Sequence, residues 1–325
     1  MINKRIYLAP MVGRTDKHFR TLVRILSKNI NLYTEMITCD AYLNTNRKTY
    51  KVKKSEHPIT IQLAGTDPYK FAKCSEIAET NGYDEINLNI GCPSSKVLKG
   101  QFGAILMNYP EKVSQCVKEI KKSCSLPISI KTRLGLGYDK NLDRLRKLID
   151  MTENSGCTNF IIHARNAILG KLSPKKNRTI PELRYQDVLF IKNIYPDLKI
   201  ILNGGISTLD DIKCNIKHYD GIMIGRKIYD DPLFLLKLEK EFFHINKDII
   251  IEDILFKYKM YMDNEIKRGE NKYYMLRHLY NLYCKTSYSK KWKNYLSSIM
   301  QNKLNFENLL NFSATYNEKK ISINS

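Results

Sequence analysis

Residues 199–226 read KIILNGGISTLDDIKCNIKHYDGIMIGR, and this stretch decides the fold. A short apolar run, 199–205, closes on Asn203-Gly204-Gly205. Ile206-Ser207 then leads into a segment of helix length, and a second apolar run, 221–226, closes on Gly225-Arg226. Strand, helix and strand in that order make a βαβ unit. Toward the N-terminus the pattern recurs: apolar runs stand at 5–12, 32–36, 59–65, 85–93, 128–134 and 159–164, which makes eight. Amphipathic segments lie between most of them. Phe19, Leu22, Val23 and Leu26 keep the i, i+3, i+4, i+7 spacing of one helix face, and so do Val113, Cys116, Val117 and Ile120. Asp67-Pro68 offers an N-cap with proline at the first helical position. Gly82 and Gly156 stand just past two such segments, where a left-handed residue ends a helix. Residues 38–55 turn polar and basic and read as a long loop. Eight strand–helix repeats predict an α/β fold, a (β/α)8 TIM barrel. A doubly wound open sheet could use the same runs, but no G-x-G-x-x-G follows the first of them. Past residue 240 the strands stop; 254–265, 273–284 and 291–300 read as helices before a polar tail. The chain thus divides into a barrel domain, 1–240, and an all-helical domain, 241–325.

The 325 residues are 43% hydrophobic and 10% aromatic, with 15 Gly and 10 Pro, enough for a packed core and unlike a disordered or collagenous chain. Lys plus Arg number 54 against 33 Asp plus Glu, a net +21. So basic a surface repels itself and suits a polyanionic partner, nucleic acid above all. A compositional bias toward Lys would raise the charge without any partner. The eight cysteines contain no C-x-x-C pair, so no metal site is expected. MINKRIYLAP lacks the apolar core of a signal peptide, and no run of about 18 apolar residues is present. These features predict a cytoplasmic monomer with reduced thiols and no membrane partner.

In a barrel, chemistry sits where strands end. Here the ends are Pro10-Met11, Glu35-Met36, Gln62 to Gly65, Asn89 to Pro93, Lys131 to Arg133, His163 to Arg165, Asn203 to Gly205, and Gly225-Arg226. The glycines at 204, 205 and 225 let backbone amides approach a phosphate, with Arg226 and a helix start beside them; tight turns alone would also need them. Lys131 inside an apolar strand needs either a buried ion pair or an electron-rich cofactor edge. His163 fits a core histidine or a cofactor contact. Gln62 offers donor and acceptor to a heterocycle. Cys92, between Gly91 and Pro93 at the rim, differs from the other thiols, which mostly fall in helical patterns. Protonated at neutral pH, a free thiol can act as a general acid, and 94–103, SSKVLKGQFG, could move as a loop carrying it.

The runs APM (9–11), LYTEM (32–36), QLAG (62–65), GYDEINLNIGCPS (82–94), KTRLG (131–135), FIIHAR (160–165), LSPKKNRTIP (172–181), NGGI (203–206) and GIMIGR (221–226) together resemble the tRNA-dihydrouridine synthases, with LYTEM and LSPKKNR closest to the A-type subfamily. The resemblance covers the whole barrel and, more faintly, the helical domain. It implies an FMN enzyme that reduces tRNA uridines at D-loop positions 20 and 20a to 5,6-dihydrouridine, with NADPH as electron donor. It further implies FMN phosphate on Asn203, Gly204, Gly205, Gly225 and Arg226. The isoalloxazine would meet Gln62 and Lys131, backed by Pro10, Met11 and Val12, with His163 nearby. Cys92 would protonate C5 of the uracil, and Asn89 would contact RNA. Two departures stand out. Val12-Gly13-Arg14 replaces an acidic residue and Trp after APM, and Lys290-Lys291-Trp292-Lys293 replaces an Arg-x-Trp-Arg-like run, keeping charge without Arg's fork.

The basic residues now have addresses: RKTYKVKK at 47–54, KLSPKKNR at 171–178, and a run of Lys, Arg, Tyr and Trp at 265–295. Lys175 and Arg178, with Lys290 and Lys293, are expected to contact tRNA from opposite sides of the mouth. A flavin barrel reducing a small molecule would share the phosphate site but has no need of the basic helical domain. An RNA-binding protein on a decayed barrel would keep the charge but hold no flavin.

Overall fold

The computed structural model describes residues 5–245 and 250–312. Eight parallel strands, β1 (Arg5–Leu8), β2 (Leu32–Thr38), β3 (Ile59–Ala64), β4 (Glu85–Asn89), β5 (Ile128–Arg133), β6 (Asn159–His163), β7 (Lys199–Asn203) and β8 (Gly221–Ile224), stand in the order β1-β8-β7-β6-β5-β4-β3-β2. The gap between β1 and β2 is closed through Asn31, whose carbonyl accepts from Leu8 N at 2.8 Å and whose N–H donates to Ile6 O at 2.9 Å. The sheet is therefore a (β/α)8 barrel, as the eight runs predict. The helices are α1 (Lys17–Leu26), α2 (Cys39–Asn44), α3 (Pro68–Thr80), α4 (Ser95–Lys99), α5 (Pro110–Ser123), α6 (Asp143–Glu153), α7 (Tyr185–Ile194), α8 (Leu209–Ile216), α9 (Arg226–Asp230), α10 (Phe234–Phe243), α11 (Ile251–Lys267), α12 (Lys272–Leu276) and α13 (Ser289–Met300). None of them is long and apolar enough to cross a membrane.

The caps read from the sequence are present. Asp67 accepts from the Tyr69 and Lys70 amides, and Gly82 and Gly156 take φ of +87° and +101° just past α3 and α6. The stretch 38–55 is a correction. It is not one loop but the end of β2, then α2, then short 3₁₀ turns. Thr38 caps α2 by accepting from Ala41 N at 3.2 Å, and Cys39 and Tyr42 give the helix a buried side. The expected helix 273–284 is likewise only α12 plus a 3₁₀ turn (Arg277–Leu279). The Trp292 indole donates to Leu279 O at 2.7 Å, giving that carbonyl a side-chain partner at the place where the regular helix stops.

Two compact units emerge, with boundaries that do not follow the chain linearly. The first holds the residues up to Val12 together with Asn31–Ile224. The second holds Gly13–Ile30 and the residues from Gly225 on, so it takes in α1 as well as α9 to α13. Within the second unit, Asp16 accepts from the amides of His18 and Phe19, from the Arg277 guanidinium and from His278 Nε2. Burial alone would raise the Asp16 pKa, but these donors hold its carboxyl well below the usual range. Trp292 is fully buried against Tyr283 and Phe312, both 5.0 Å away between ring centroids. The polar tail beyond 312 lies outside the described residues.

Candidate active site

β4 reads EINLN, and its alternation is inverted for a barrel strand. Ile86 and Leu88 face the helices, while Glu85, Asn87 and Asn89 face the interior. Register sets Asn87 beside Gln62 of β3 and Ser129 of β5, and Asn89 beside Lys131. The side chains join into one chain of hydrogen bonds. Cys92 N (3.0 Å) and Gly91 N (3.2 Å) donate to Asn89 Oδ1, and Asn89 Nδ2 donates to Gln62 Oε1 at 2.8 Å. Gln62 Nε2 donates to Asn87 Oδ1 at 2.7 Å, and Asn87 Nδ2 to Ser129 Oγ at 2.8 Å. Ser129 Oγ donates to the Glu85 carboxylate, which also accepts from Tyr33 OH at 3.3 Å. Every donor points the same way, toward Glu85, so the ends of Gln62, Asn87 and Asn89 are each fixed in one orientation. Burial pushes the Glu85 pKa up, against the bonds from Ser129 and Tyr33.

Above this chain sits Cys92. Its side chain is half-buried, with Sγ 3.7 Å from Ser94 Oγ. The segment expected as a moving loop, 94–103, folds instead into α4 and a turn that closes on Cys92, with Ala104 N donating to Cys92 O at 3.0 Å. Gly103 has φ +71°, and a Cβ there would come within 2.3 Å of Val97 and 2.7 Å of Cys92 O, so the closure needs glycine.

Lys131 donates to Asn203 Oδ1 at 2.9 Å, and Asn203 in turn donates to Met223 O at 2.8 Å. Burial first, and the charge of Arg133 second, lower the Lys131 pKa to about 7. His163 pairs in register with Asn203, and its ring lies against Gly204, where a Cβ would approach to 3.1 Å. Gly204 and Gly205 have φ of +109° and +74°, the left-handed pair the sequence places here. The helix start behind them is capped in part by its own residues: Asp211 accepts from the Ser207 and Thr208 amides at 2.8 and 2.9 Å. The turn thus offers an anion the glycine backbone ahead of α8. Pro10, Met11 and Val12 follow β1 at the rim, with Val12 67% exposed. Gly225 and Arg226 belong to the second compact unit, where Gly225 is the N-cap of α9.

Three residues without an expected role organise the rim. Arg133 is buried; its Nε donates to Gly91 O at 3.0 Å and its Nη1 to Asn166 O and Asn177 O, both at 3.0 Å. It therefore ties the Cys92 turn to the loop after β6. Burial foremost lowers its pKa to about 10, and the charges of Arg178 and Arg165 act in the same direction. Asn177 is fully buried and clamps that loop, accepting from Ile168 N at 2.8 Å and donating to the Ile168 and Leu172 carbonyls. Asn166 donates to Gly137 O at 3.2 Å and Asp139 O at 2.5 Å, binding the loop after β5 to the one after β6. The sequence signal for Asn177 was its place inside LSPKKNR; for Arg133 it was a charge at the end of a strand.

The expected RNA contacts divide. Asn89 is buried, with its oxygen on the Cys92 turn and its nitrogen on Gln62. Lys175 is exposed and Arg178 half-buried, on either side of Asn177. In the second unit Lys290 is exposed and Lys293 half-buried on α13. Several neighbouring cations there have internal partners instead: Arg277 with Asp16, and Lys285 with Asp231.

A family model described as dihydrouridine synthase matches residues 7–318. The tRNA-dihydrouridine(20/20a) synthase of Shewanella oneidensis is 37% identical over 297 residues, 91% of this chain and 89% of that protein. Its namesakes from Synechocystis sp. and Escherichia coli strain K12 are 38% and 39% identical, covering 89% and 90% of this chain and 87% and 86% of theirs. Among solved structures, histamine dehydrogenase from Rhizobium sp. 4-9 superposes with a TM-score of 0.54 at 14% identity, over 73% of this chain and 45% of that one. That likeness concerns the fold.

Proposed function

The chain belongs to the dihydrouridine synthase family, and from that premise we propose that it uses FMN and NADPH to reduce tRNA uridines at positions 20 and 20a to 5,6-dihydrouridine. The observation that carries the reading is the oriented polar chain that ends under Cys92, beside Lys131. The donor set suits a flavin mononucleotide: a buried lysine and fixed amides for a polar heterocycle, and a left-handed glycine pair beside His163 for one phosphate. Asn203, Gly204 and Gly205 would hold that phosphate, with Gly225 and Arg226 added on sequence grounds. Gln62 and Lys131 would face the ring system, and Pro10, Met11 and Val12 would back it. When bound, the flavin supplies the hydride for C6 of the uracil.

The protein's own part is position and one proton. Cys92 gives its thiol proton to C5 as the C5–C6 double bond becomes single, and solvent restores the proton afterwards. Asn89 and Arg133 hold the Cys92 turn from two sides, through its amides and through Gly91 O. The uridine must leave the RNA stack to reach this site. Lys175 and Arg178 in the barrel unit, and Lys290 and Lys293 in the helical unit, supply cations for the backbone. Incubating the purified chain with unmodified tRNA and NADPH tests the reading. Dihydrouridine at 20 and 20a and FMN as the released cofactor are expected; FAD, or reduction of small enones without tRNA turnover, would overturn it.

A further inference from the structure

The large apolar side chains that the barrel unit leaves exposed are not scattered. Of seven among its described residues, Val12, Tyr69, Tyr109, Tyr138 and Ile180 stand on loops or helix starts that follow strands, and Phe190 and Ile194 lie along an outer helix, α7. Strands end and helices begin at the catalytic face of such a barrel. Tyr69 opens α3, Tyr109 is the N-cap of α5, and Tyr138 lies in the loop after β5, so three tyrosines crown the adjacent sectors of β3, β4 and β5. These are the strands whose interior carries the polar chain. Tyr138 is 75% exposed although its loop is fixed, with Asn166 bonded to the carbonyls on both sides of it and Gly137 N donating to Ala167 O at 2.9 Å. Lys112 Nζ lies 5.4 Å from the Tyr109 ring centroid, which sets a cation and an aromatic face together.

Exposed rings on rigid mounts, among cations, in a chain of net charge +21, match unpaired nucleotides better than a protein surface. A lone exposed aromatic means little; an arc confined to one face is a binding surface. We propose that Tyr69, Tyr109 and Tyr138 form a stacking surface for bases of the RNA that flank the uridine being reduced. This rests on the tRNA reading above and adds to it the sectors of the rim that the RNA crosses.

The test compares the full chain, loaded with its cofactor, in four forms: wild type, Y69A/Y109A/Y138A, Y69F/Y109F/Y138F and the control F190A/I194A. Affinity for unmodified tRNA is read by fluorescence anisotropy across a salt series, and KM and kcat by turnover. The triple alanine form is expected to lose at least about 5-fold in affinity, the lower worth of one stacked base, and more than about 100-fold if all three rings stack. That loss should fall in KM more than kcat and leave the salt slope unchanged, because no charge is removed. The triple phenylalanine form should bind like wild type, as should F190A/I194A. Wild-type affinity in the triple alanine form, or an equal loss in the phenylalanine form or the control, overturns the inference while leaving the enzyme reading intact. A wild-type chain that neither binds nor reduces tRNA overturns both. A pull-down of a protein through this rim, with tRNA affinity unmoved by the alanines, assigns the surface to that protein instead.

Discussion

From β6 through β7, β8 and β1 to β2, the barrel interior is closed by Ile161, Ile201, Met223, Tyr7, Ala9 and Tyr33, packed as one buried cluster. From β3 to β5 the same interior positions hold Gln62, Glu85, Asn87, Asn89, Ser129 and Lys131. The two half-cylinders share one backbone geometry and differ in what a residue must find. An isoleucine needs only volume filled around it. Asn87 needs an acceptor and a donor in fixed places, and it has them in Ser129 Oγ and Gln62 Nε2. The apolar half therefore supplies stability with loose demands on orientation. The polar half gives up stability per residue and gains groups whose direction is set down to the amide end. Cys92 stands at the top of the second kind of wall.

The largest effect that can break this division is at Cys92 itself. Cys92→Ala removes one small half-buried side chain, so fold and flavin should stay and NADPH should still bleach the flavin. Reoxidation by tRNA should slow about 10²–10⁴-fold, the usual worth of a positioned acid. Cys92→Ser should restore little, since a hydroxyl is a far weaker acid. Cys116 and Cys157 are buried thiols with pKa values pushed up to about 12 by burial, and their alanine forms should show wild-type chemistry. Rapid-mixing absorbance decides: wild-type reoxidation in Cys92→Ala would move the proton to another donor.

Next comes Ile201→Ala in the apolar wall. Deleting a buried core side chain there should cost about 2–5 kcal/mol in denaturant unfolding. The rate per folded molecule should hold, because the Ile201 side chain bonds to none of the oriented groups. A change in flavin affinity out of proportion to the lost stability would show that the two halves are not separate.

Asn87→Leu is the matching change in the polar wall and a smaller one in stability, about 1–3 kcal/mol, since Gln62 Nε2 loses its acceptor while the volume stays filled. Its signature is different in kind. Gln62 and, through it, Asn89 lose the bond that fixes their amide ends, so flavin affinity and kcat should fall more than in Ile201→Ala. Equal ratios of function to stability in the two variants would erase the distinction between the halves.

How far these walls could be read in advance follows from the same distinction. The apolar runs and the Gly-ended turns are period and composition, so the eight strands, the caps at Asp67, Gly82 and Gly156, and the strand-end residues Gln62, Lys131, His163 and Asn203 were legible. Partners across strands were not. EINLN shows alternating polar residues, but nothing in it says that Asn89 turns its oxygen to Cys92 N. Arg133 was visible as a charge at a strand end, while its three carbonyl acceptors come from loops far along the chain. The helix α2 was hidden because six residues carry too little period, and its burial of Cys39 and Tyr42 is decided by tertiary contact. Residues 13–30 read as an ordinary barrel helix with its flanks; their partners in the second unit, Arg277 and His278 on Asp16, Glu265 on Lys17 and Glu239 on Asn29 among them, lie more than 200 residues along the chain.

The smallest effect concerns Lys131, the cation of the polar wall that bonds to Asn203. Its pKa falls to about 7 through burial and Arg133, against an unfolded value of 10.5. Between those two values the unfolded chain binds a proton that the folded chain does not. Stability of the protein stripped of cofactor should therefore rise as pH climbs from about 7 toward 10, and the handicap is fully developed below 7. Lys131→Met removes the titrating group, so its stability should change less over that range. A full fall from 10.5 to about 7 corresponds to roughly 4–5 kcal/mol, and the difference between the two curves should stay well below that because the side chain keeps partial contact with water. Adding FMN should pull the other way. An electron-rich partner favours the charged amine, so binding at pH 8 should take up protons, seen as a dependence of the calorimetric heat on the buffer's ionisation enthalpy. Parallel stability curves for the two proteins, together with buffer-independent binding heats, would mean that Lys131 is already charged in the empty wall and that the polar half carries its cation at no cost in stability.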